Sequence, residues 1–442
     1  MAPDGIGLSP EDAVNAFLAK LTRPAHLLVA VSGGSDSAGL LLALSKYAPS
    51  PEVTISAATI DHALRAESAD EARVVAAMCA RLGLAQTIRR WEGDKPLTGI
   101  SAAAREARYG LLSEIAGELG ADAILTGHTA DDQAETIAMR TARGGGGERT
   151  GLAGMADAVL LERRHWLLRP FLRTTRADIR AFLTGHGETW IDDPSNLNAQ
   201  YERVRVRLAG ANAAMDGEAA ATRKDLADRA AALLGAHVRV QHGVLAHMTP
   251  AGLTEDLPAL RHALAALGAV LGGRTHALGS DSMTRVLAFI QGGQAGRLTA
   301  GRVIFDRRRD GLYMMRERRD MPSLHISPGQ TNIWDGRFRI ANRTRHDVVV
   351  RATVPHREEA LEAFPDAPPA IAMRAASALP FVDLVSKAAA ATGRDTVLCT
   401  PILAPYDRFL PQFDLTLANE LALLIGCEAF PPVPIKDSRR KS

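Results

Sequence analysis

The apolar run His26-Leu-Leu-Val-Ala-Val31 passes directly into Ser32-Gly33-Gly34-Ser35-Asp36-Ser37, and this junction restricts the chain to a small set of folds. The apolar run reads as a strand that delivers the following loop. Two adjacent glycines let the backbone turn tightly and aim successive N–H groups into one concavity. The serine hydroxyls add donors, and a helix opening at Asp36 presents an N-terminus that favours anions. The stretch therefore predicts a phosphate-binding loop. It lacks the lysine of the Gly-x-x-x-x-Gly-Lys-Ser/Thr loop of ordinary nucleoside triphosphatases. A carboxylate in its place points to Mg²⁺ held by Asp36 together with phosphate oxygens. The plain alternative is a serine-rich turn between a strand and a helix.

From residue 26 to about 142, short apolar runs alternate with amphipathic helical stretches, the pattern of a Rossmann-like, doubly wound parallel α/β sheet. The pattern predicts strands at Leu27–Val31, Val53–Ile60, Gln86–Trp91 and Ala123–Thr126. Helices are predicted at Ser37–Tyr47, Ser68–Leu82, Ser101–Leu119 and Asp131–Thr141. Ligands of such sheets collect outside the carboxyl ends of the strands. Three polar motifs fall at those ends: the serine-glycine loop, Asp61-His62-Ala63-Leu64-Arg65, and Gly127-His128-Thr129-Ala130-Asp131-Asp132. They are expected to converge on one crevice.

The 442 residues suffice for two or three domains. We expect a nucleotide-binding catalytic domain over 1–215, a helical domain over 216–295 and a small mixed α/β domain over 296–442. A net charge of +2 neither demands nor excludes nucleic acid. Its distribution is more informative: Arg163 to Arg207 holds nine arginines against five acidic residues, and basic residues recur at Arg307-Arg308-Arg309, Arg316, Arg318-Arg319 and from Lys436 onward. These are candidates for contacts to a polynucleotide backbone. Ser9-Pro10-Glu11-Asp12 reads as a capped helix start, not a secretory leader, and no span suits a membrane helix. Cys79, Cys399 and Cys427 form no Cys-x-x-Cys pair, so the reducing cytoplasm is the expected compartment. Nothing in the sequence fixes the oligomeric state, a homodimer included.

A loop without the γ-phosphate lysine suits attack at the α-phosphate of ATP, with pyrophosphate leaving. Residues 32–37 match the Ser-Gly-Gly-x-Asp-Ser signature of the PP-loop ATP pyrophosphatases, which the sequence resembles. Further motifs follow: Asp61-His-Ala-Leu-Arg65, Ala104-Arg-Glu-Ala-Arg-Tyr109, Thr126-Gly-His-Thr-Ala-Asp-Asp-Gln-Ala-Glu-Thr136, Arg143 with its glycines, Gly151-Leu-Ala-Gly-Met155, Arg169-Pro170 and Asp193-Pro-Ser-Asn196. In this order they resemble the tRNA(Ile)-lysidine synthetase family over residues 26–207. Two positions depart from it. Ala63 stands where the family often has glycine, and Val204 interrupts the usual Arg-Asn-x-x-Arg pattern after Tyr201.

The resemblance implies adenylation by ATP of the wobble cytidine of the CAU-anticodon isoleucine tRNA, followed by attack of free lysine at C2, loss of AMP and formation of lysidine. An amine of pKa about 10.4 is almost fully protonated near neutrality, so the site needs carboxylates to orient it and take its proton. Asp132 and Glu135, one helical turn apart, fit that need, with Asp131 beside them. Arg108 is expected to stabilise charge on the activated cytidine or the α-phosphate, and His128 to contact that phosphate. Ser32, Gly33, Gly34, Ser35, Asp36, Ser37 and Asp61 are the expected ATP ligands, with His62 and Arg65 on phosphate or RNA. Arg203, Arg205 and Arg207 are expected on tRNA, and Tyr201 and Trp190 are candidates for base stacking, with the core the favoured place for Trp190. The sequence does not separate lysine from ornithine. A PP-loop tRNA thiolase would need a cysteine pair near the loop, where only Cys79 lies. A nucleotide sensor would have lost Asp36 or the Asp132/Glu135 pair.

Overall fold

The computed structural model describes residues 7–48, 51–64, 68–96, 98–142, 153–192, 205–206, 217–384 and 396–436. The chain divides into two compact units. The first holds residues up to Arg223 together with Pro411–Phe413 and the segment from Pro431. The second comprises Lys224–Leu410 and Asp414–Phe430.

The first unit starts with α1 (Pro10–Lys20), capped by Ser9, whose hydroxyl accepts the Asp12 N–H at 3.1 Å. Then come β1 (Ala25–Ala30), α2 (Ser35–Tyr47), β2 (Val53–Asp61), α3 (Ser68–Arg81), β3 (Ala85–Arg90), α4 (Ile100–Leu119), β4 (Ala123–Thr126) and α5 (Ala130–Ala142). Each predicted strand and helix of residues 26–142 is present, with ends displaced by at most two residues. A hairpin of β5 (Ala158–Leu161) and β6 (His165–Leu168), and helix α6 (Arg176–Gly185), complete the unit. The unit's own strands run in the order β5-β6-β4-β1-β2-β3. Only β5 is antiparallel to its neighbour. The hairpin escapes the sequence pattern because its strands are short and are joined through residues that read as one basic segment.

β1 lies between β2 and β4, so the strand order reverses beside it. Ala30 is level with Thr126 of β4 and Ala58 of β2, which brings the loops after β1 and β4 side by side. β2 continues three residues farther, to Asp61 opposite Arg90. At about 3.3 Å per residue its loop stands roughly 10 Å beyond the other two. The first and third motifs therefore meet at the reversal, and the second forms a rim.

The second unit begins within helix α7 (Gly217–His237). An antiparallel sheet follows, in the order β7 (Val238–Gln241), β8 (Leu245–Met248), β11 (Gly311–Arg316), β10 (Val303–Arg308) and β9 (Gly296–Ala300). Helices α8 (Leu257–Leu271) and α9 (Ser280–Gln291) lie between β8 and β9 in sequence. Segments 216–295 and 296–316 thus share one sheet, and 295/296 is no boundary between compact units. Among the described residues, this unit also holds two three-stranded sheets and three further α-helices. Arg316, read as a surface cation, is 1% exposed and bonds both carboxylate oxygens of buried Asp335 at 3.0 Å, beside Arg337.

Helix α6 is held on α2 where Gly39 faces Ile179; a Cβ at residue 39 would lie 2.4 Å from the Ile179 methyl. This close approach fixes the height of the α6 N-terminus relative to the loop after β1. We predict that Gly39→Ala lowers stability by about 1–3 kcal/mol through overpacking. Ile179→Ala alone should cost about 2–5 kcal/mol by leaving a cavity. In the double variant the added methyl enters that space, so denaturant melts should give a loss clearly smaller than the sum; additive losses would contradict the contact.

Candidate active site

The loop after β1 is braced from within. Gly33 turns with φ of +90°, its carbonyl accepts the Ile191 N–H at 2.9 Å, and Gly34 starts α2. The Ser37 hydroxyl accepts the Ser32 N–H at 3.1 Å and donates to the Gly34 carbonyl at 3.1 Å. Ser37 therefore shapes the loop. The Ser35 hydroxyl donates to Asp36 Oδ1 at 2.9 Å. Gly127 packs against this turn so closely that a Cβ would sit 2.5 Å from the Asp36 carbonyl oxygen. No side chain fits there, which sets the two loops in contact.

The loop after β4 delivers the acidic pair. Thr129 precedes the first turn of α5, and its N–H donates to Asp132 Oδ2 at 2.8 Å while the Asp132 N–H returns to Thr129 Oγ1 at 3.3 Å. This is a capping box in which one oxygen of Asp132 stabilises the helix start and the other faces the cleft. Glu135 lies one turn on, its side chain 4% exposed. His128 Nδ1 meets Thr126 Oγ1 at 2.9 Å.

Arg176, at the first position of α6, joins these parts. Its Nε donates to Asp36 Oδ2 at 3.0 Å, its Nη2 lies 3.4 Å from Asp132 Oδ1 and its Nη1 4.0 Å from Glu135 Oε1. Its backbone N–H donates to Asp131 Oδ2 at 2.8 Å, and the Ala130 N–H bonds the Thr174 carbonyl at 3.0 Å. Asp131 thus ties α6 to α5. Sequence reasoning missed Arg176, which fell within the segment read as RNA-facing. A signal existed: Thr175 caps the helix before Asp178, so Arg176 sits in a first turn, where the helix dipole disfavours a cation.

The cluster shifts its members. Burial pushes the Asp36 carboxyl up, assisted by the charge of Asp132 and opposed by Arg176. Burial works against the Arg176 charge, but Asp36 and Asp132 more than offset it and hold the guanidinium above its ordinary range. Arg108 differs. Burial pushes its pKa down, and no ion pair reaches it among the described residues. A desolvated guanidinium without a carboxylate is a ready partner for an anion. It bears on the rim motif: burial and then the charge of Arg108 push the neighbouring His62 imidazole down. Asp61 is drawn into its own turn, accepting the Ala63 N–H at 2.8 Å. Ala63 has φ of +51°, so the family's usual glycine there has a steric reason.

Other expected residues fall elsewhere. Arg65, Arg143, Asp193–Asn196, Tyr201, Arg203 and Arg207 lie outside the described residues, and Arg205 is exposed on a short helical stretch. Trp190 is not in the core: its ring is partly exposed, 5.5 Å from the Arg180 guanidinium, and its N–H reaches Asp192 at 3.3 Å. Arg169 is buried, donating to the Ala156 carbonyl. Among the described residues no group of three or more His, Cys, Asp or Glu is placed to hold a metal ion. A magnesium ion shared between one carboxylate and phosphate oxygens needs no such cage, and Asp36, a hard oxygen donor beside the loop amides, fits it. Cys79 is buried on α3, and burial pushes its thiol up, away from reactivity.

A reversal-point crevice, a lysine-free serine-glycine loop and an acidic helix start define a nucleotide-binding PP-loop protein, and residues 9–212 match the PP-loop domain family. Relatives extend over nearly the whole chain. The tRNA(Ile)-lysidine synthase of Rhizobium meliloti (strain 1021) is 44% identical over 96% of this chain and 97% of its own. That of Mesorhizobium japonicum is 38% identical over 92% and 94%. That of Brucella ovis is 40% identical over 75% and 77%. The chain belongs to the tRNA(Ile)-lysidine synthase family. Among solved structures, the U34-tRNA thiolase NcsA from Methanococcus maripaludis with its [4Fe-4S] cluster covers 45% of this chain and 70% of its own at 15% identity, with a TM-score of 0.39, too weak a likeness to bear on function.

The capping box yields a prediction separable from chemistry. Asp132→Ala should lose about 1 kcal/mol with the cap. Asp132→Asn keeps an acceptor for the Thr129 N–H and loses only the charge facing Arg176, so in a denaturant melt it should cost clearly less than Asp132→Ala. Equal destabilisation by both would contradict the cap.

Proposed function

We propose that this chain makes lysidine: it adenylates the wobble cytidine of the CAU-anticodon isoleucine tRNA with ATP and then joins free lysine to C2 of that base, releasing AMP. The observation that carries the reading is the juxtaposition, at one sheet reversal, of a phosphate-type loop with a nearly buried carboxylate pair. Such a pair suits a cationic amine that must be oriented and deprotonated before it can attack. The loop amides and the α2 N-terminus take the triphosphate. Asp36 is assigned to Mg²⁺, which supplies charge neutralisation for the departing pyrophosphate. Arg108, desolvated and free of carboxylates among the described residues, takes negative charge developing at the α-phosphate or cytidine. Asp132 and Glu135 hold lysine and accept its proton, and His128, bonded to Thr126 at the strand end, is assigned to the α-phosphate. The cytoplasm suits a tRNA substrate, and no helix among the described residues is long and apolar enough to cross a membrane.

The division of labour can be read in half-reactions. Asp36→Ala should abolish tRNA-dependent pyrophosphate release in a protein that still melts cooperatively. Asp132→Asn and Glu135→Gln should leave adenylation running while raising the lysine concentration needed for ligation by about tenfold or more, the scale of a lost charge-assisted contact. Equal loss of both half-reactions in the amide variants would mean that the pair serves ATP instead.

We assign tRNA discrimination to the second unit, whose exposed arginines supply backbone contacts. Truncation near residue 215 is a poor test, because the first unit includes Pro431–Lys436: Pro431 accepts the Trp166 N–H at 3.2 Å and Ile435 bridges to Leu21. Point variants avoid this. Replacing exposed Arg318 and Arg319 by Gln should weaken tRNA binding and reduce the log–log salt slope by about one unit per lost contact. An unchanged slope would make them ordinary surface.

A further inference from the structure

We propose that Arg176 is a resident counter-cation of the acidic cluster: its guanidinium holds the carboxylate oxygens that the metal and the amine require, so both enter by exchange with it. This inference rests on the assignment of Asp36 to Mg²⁺ and of Asp132 and Glu135 to lysine.

The oxygens are already engaged. Asp36 Oδ1 accepts the Ser35 hydroxyl and Oδ2 accepts Arg176 Nε. Asp132 Oδ2 belongs to the α5 cap, and Oδ1 faces Arg176 Nη2. Glu135 Oε1 is the third carboxylate oxygen within 4.0 Å of the guanidinium. An ammonium or a metal seeking Asp132 Oδ1 or Asp36 Oδ2 meets a cation in possession. The backbone of Arg176 is fixed independently, through its N–H to Asp131 and the Thr175 cap. The side chain can therefore leave the carboxylates while the helix stays in place.

Exchange has a consequence that simple electrostatics does not. Two cations entering neighbouring sites should oppose each other. Here Mg²⁺ at Asp36 removes one of the partners holding the guanidinium, which weakens its grip on Asp132 and Glu135 and lowers the cost of admitting the amine. The coupling is positive, and linkage makes it reciprocal. The same device sets selectivity, because a cation must outcompete a guanidinium on the carboxylates, and one with the wrong reach does so less well.

The experiment is equilibrium dialysis of labelled L-lysine against the full-length protein across a MgCl₂ series, with a saturating non-hydrolysable ATP analogue and without tRNA. We expect Mg²⁺ to tighten lysine binding by about fivefold or more in the native protein. In Arg176→Gln, lysine should bind more tightly without Mg²⁺, added Mg²⁺ should now weaken it, and discrimination against ornithine should shrink. Arg176→Lys, which keeps a positive charge, should restore the positive sign. Mg²⁺ that weakens lysine binding or leaves it unchanged in the native protein overturns the exchange, and this result needs no variant to fold. So does a cooperatively melting Arg176→Gln that binds lysine no better than the native protein, which would make Arg176 a fixed brace. Lysine binding indifferent to both Asp132→Asn and Glu135→Gln overturns the site assignment and the exchange with it, whereas binding sensitive to those variants but lacking positive coupling overturns the exchange alone.

Discussion

Three carboxylates gathered at one point repel one another, and the site depends on the Arg176 guanidinium that faces all three. Like charges about 5 Å apart cost roughly 3 kcal/mol at an effective dielectric of 20, so Asp36, Asp132 and Glu135 would drive α2 and α5 apart without compensation. Arg176 bonds or faces each of them from the start of α6. Its own position follows from packing, through Gly39 against Ile179, and from the Asp131 bond to its backbone. The chain spends a helix N-terminus, normally reserved for anions, on a cation. That local cost is intelligible only through the cluster it completes.

The backbone supplies the other half of the arrangement. Level register of β1 and β4 at Ala30 and Thr126 sets the two loops side by side, and the missing side chain at Gly127 lets them touch. The longer β2 places Asp61 and His62 farther out, so the crevice has a floor of loop amides and carboxylates and a rim carrying His62 and the desolvated Arg108. An anion and a cation can thus be held within one small space without sharing ligands. The proposed chemistry requires this, because an activated phosphoryl ester and a protonated amine must meet there.

Much of this was legible in the sequence, and the reasons are local. β1 and β4 are short apolar runs bounded by turn residues and helix starts, so the period change at each boundary marks the element. Asp36, Asp132 and Glu135 stand out because they follow strand ends. Arg176 did not, because its role depends on α6 folding back over α2, a contact 140 residues apart in sequence. Arg316 misled in the opposite direction: it reads as a surface cation, but its partner Asp335 is buried in another hairpin. The core is the place the sequence favours for Trp190, yet Arg180 and Asp192 hold it near the surface. Charge pairing across long separations is invisible to spacing, and it accounts for most of what composition misread.

The central claim is that the crevice joins an amine to an activated cytidine. Incubation of isoleucine tRNA transcripts with the protein, ATP, Mg²⁺ and labelled lysine tests it most directly. The account predicts label on the transcript with cytidine at the wobble position, dependent on ATP, and none on the same transcript with uridine there. Label that ignores the wobble base, or ATP consumption on the cytidine transcript with no lysine incorporated, would contradict it.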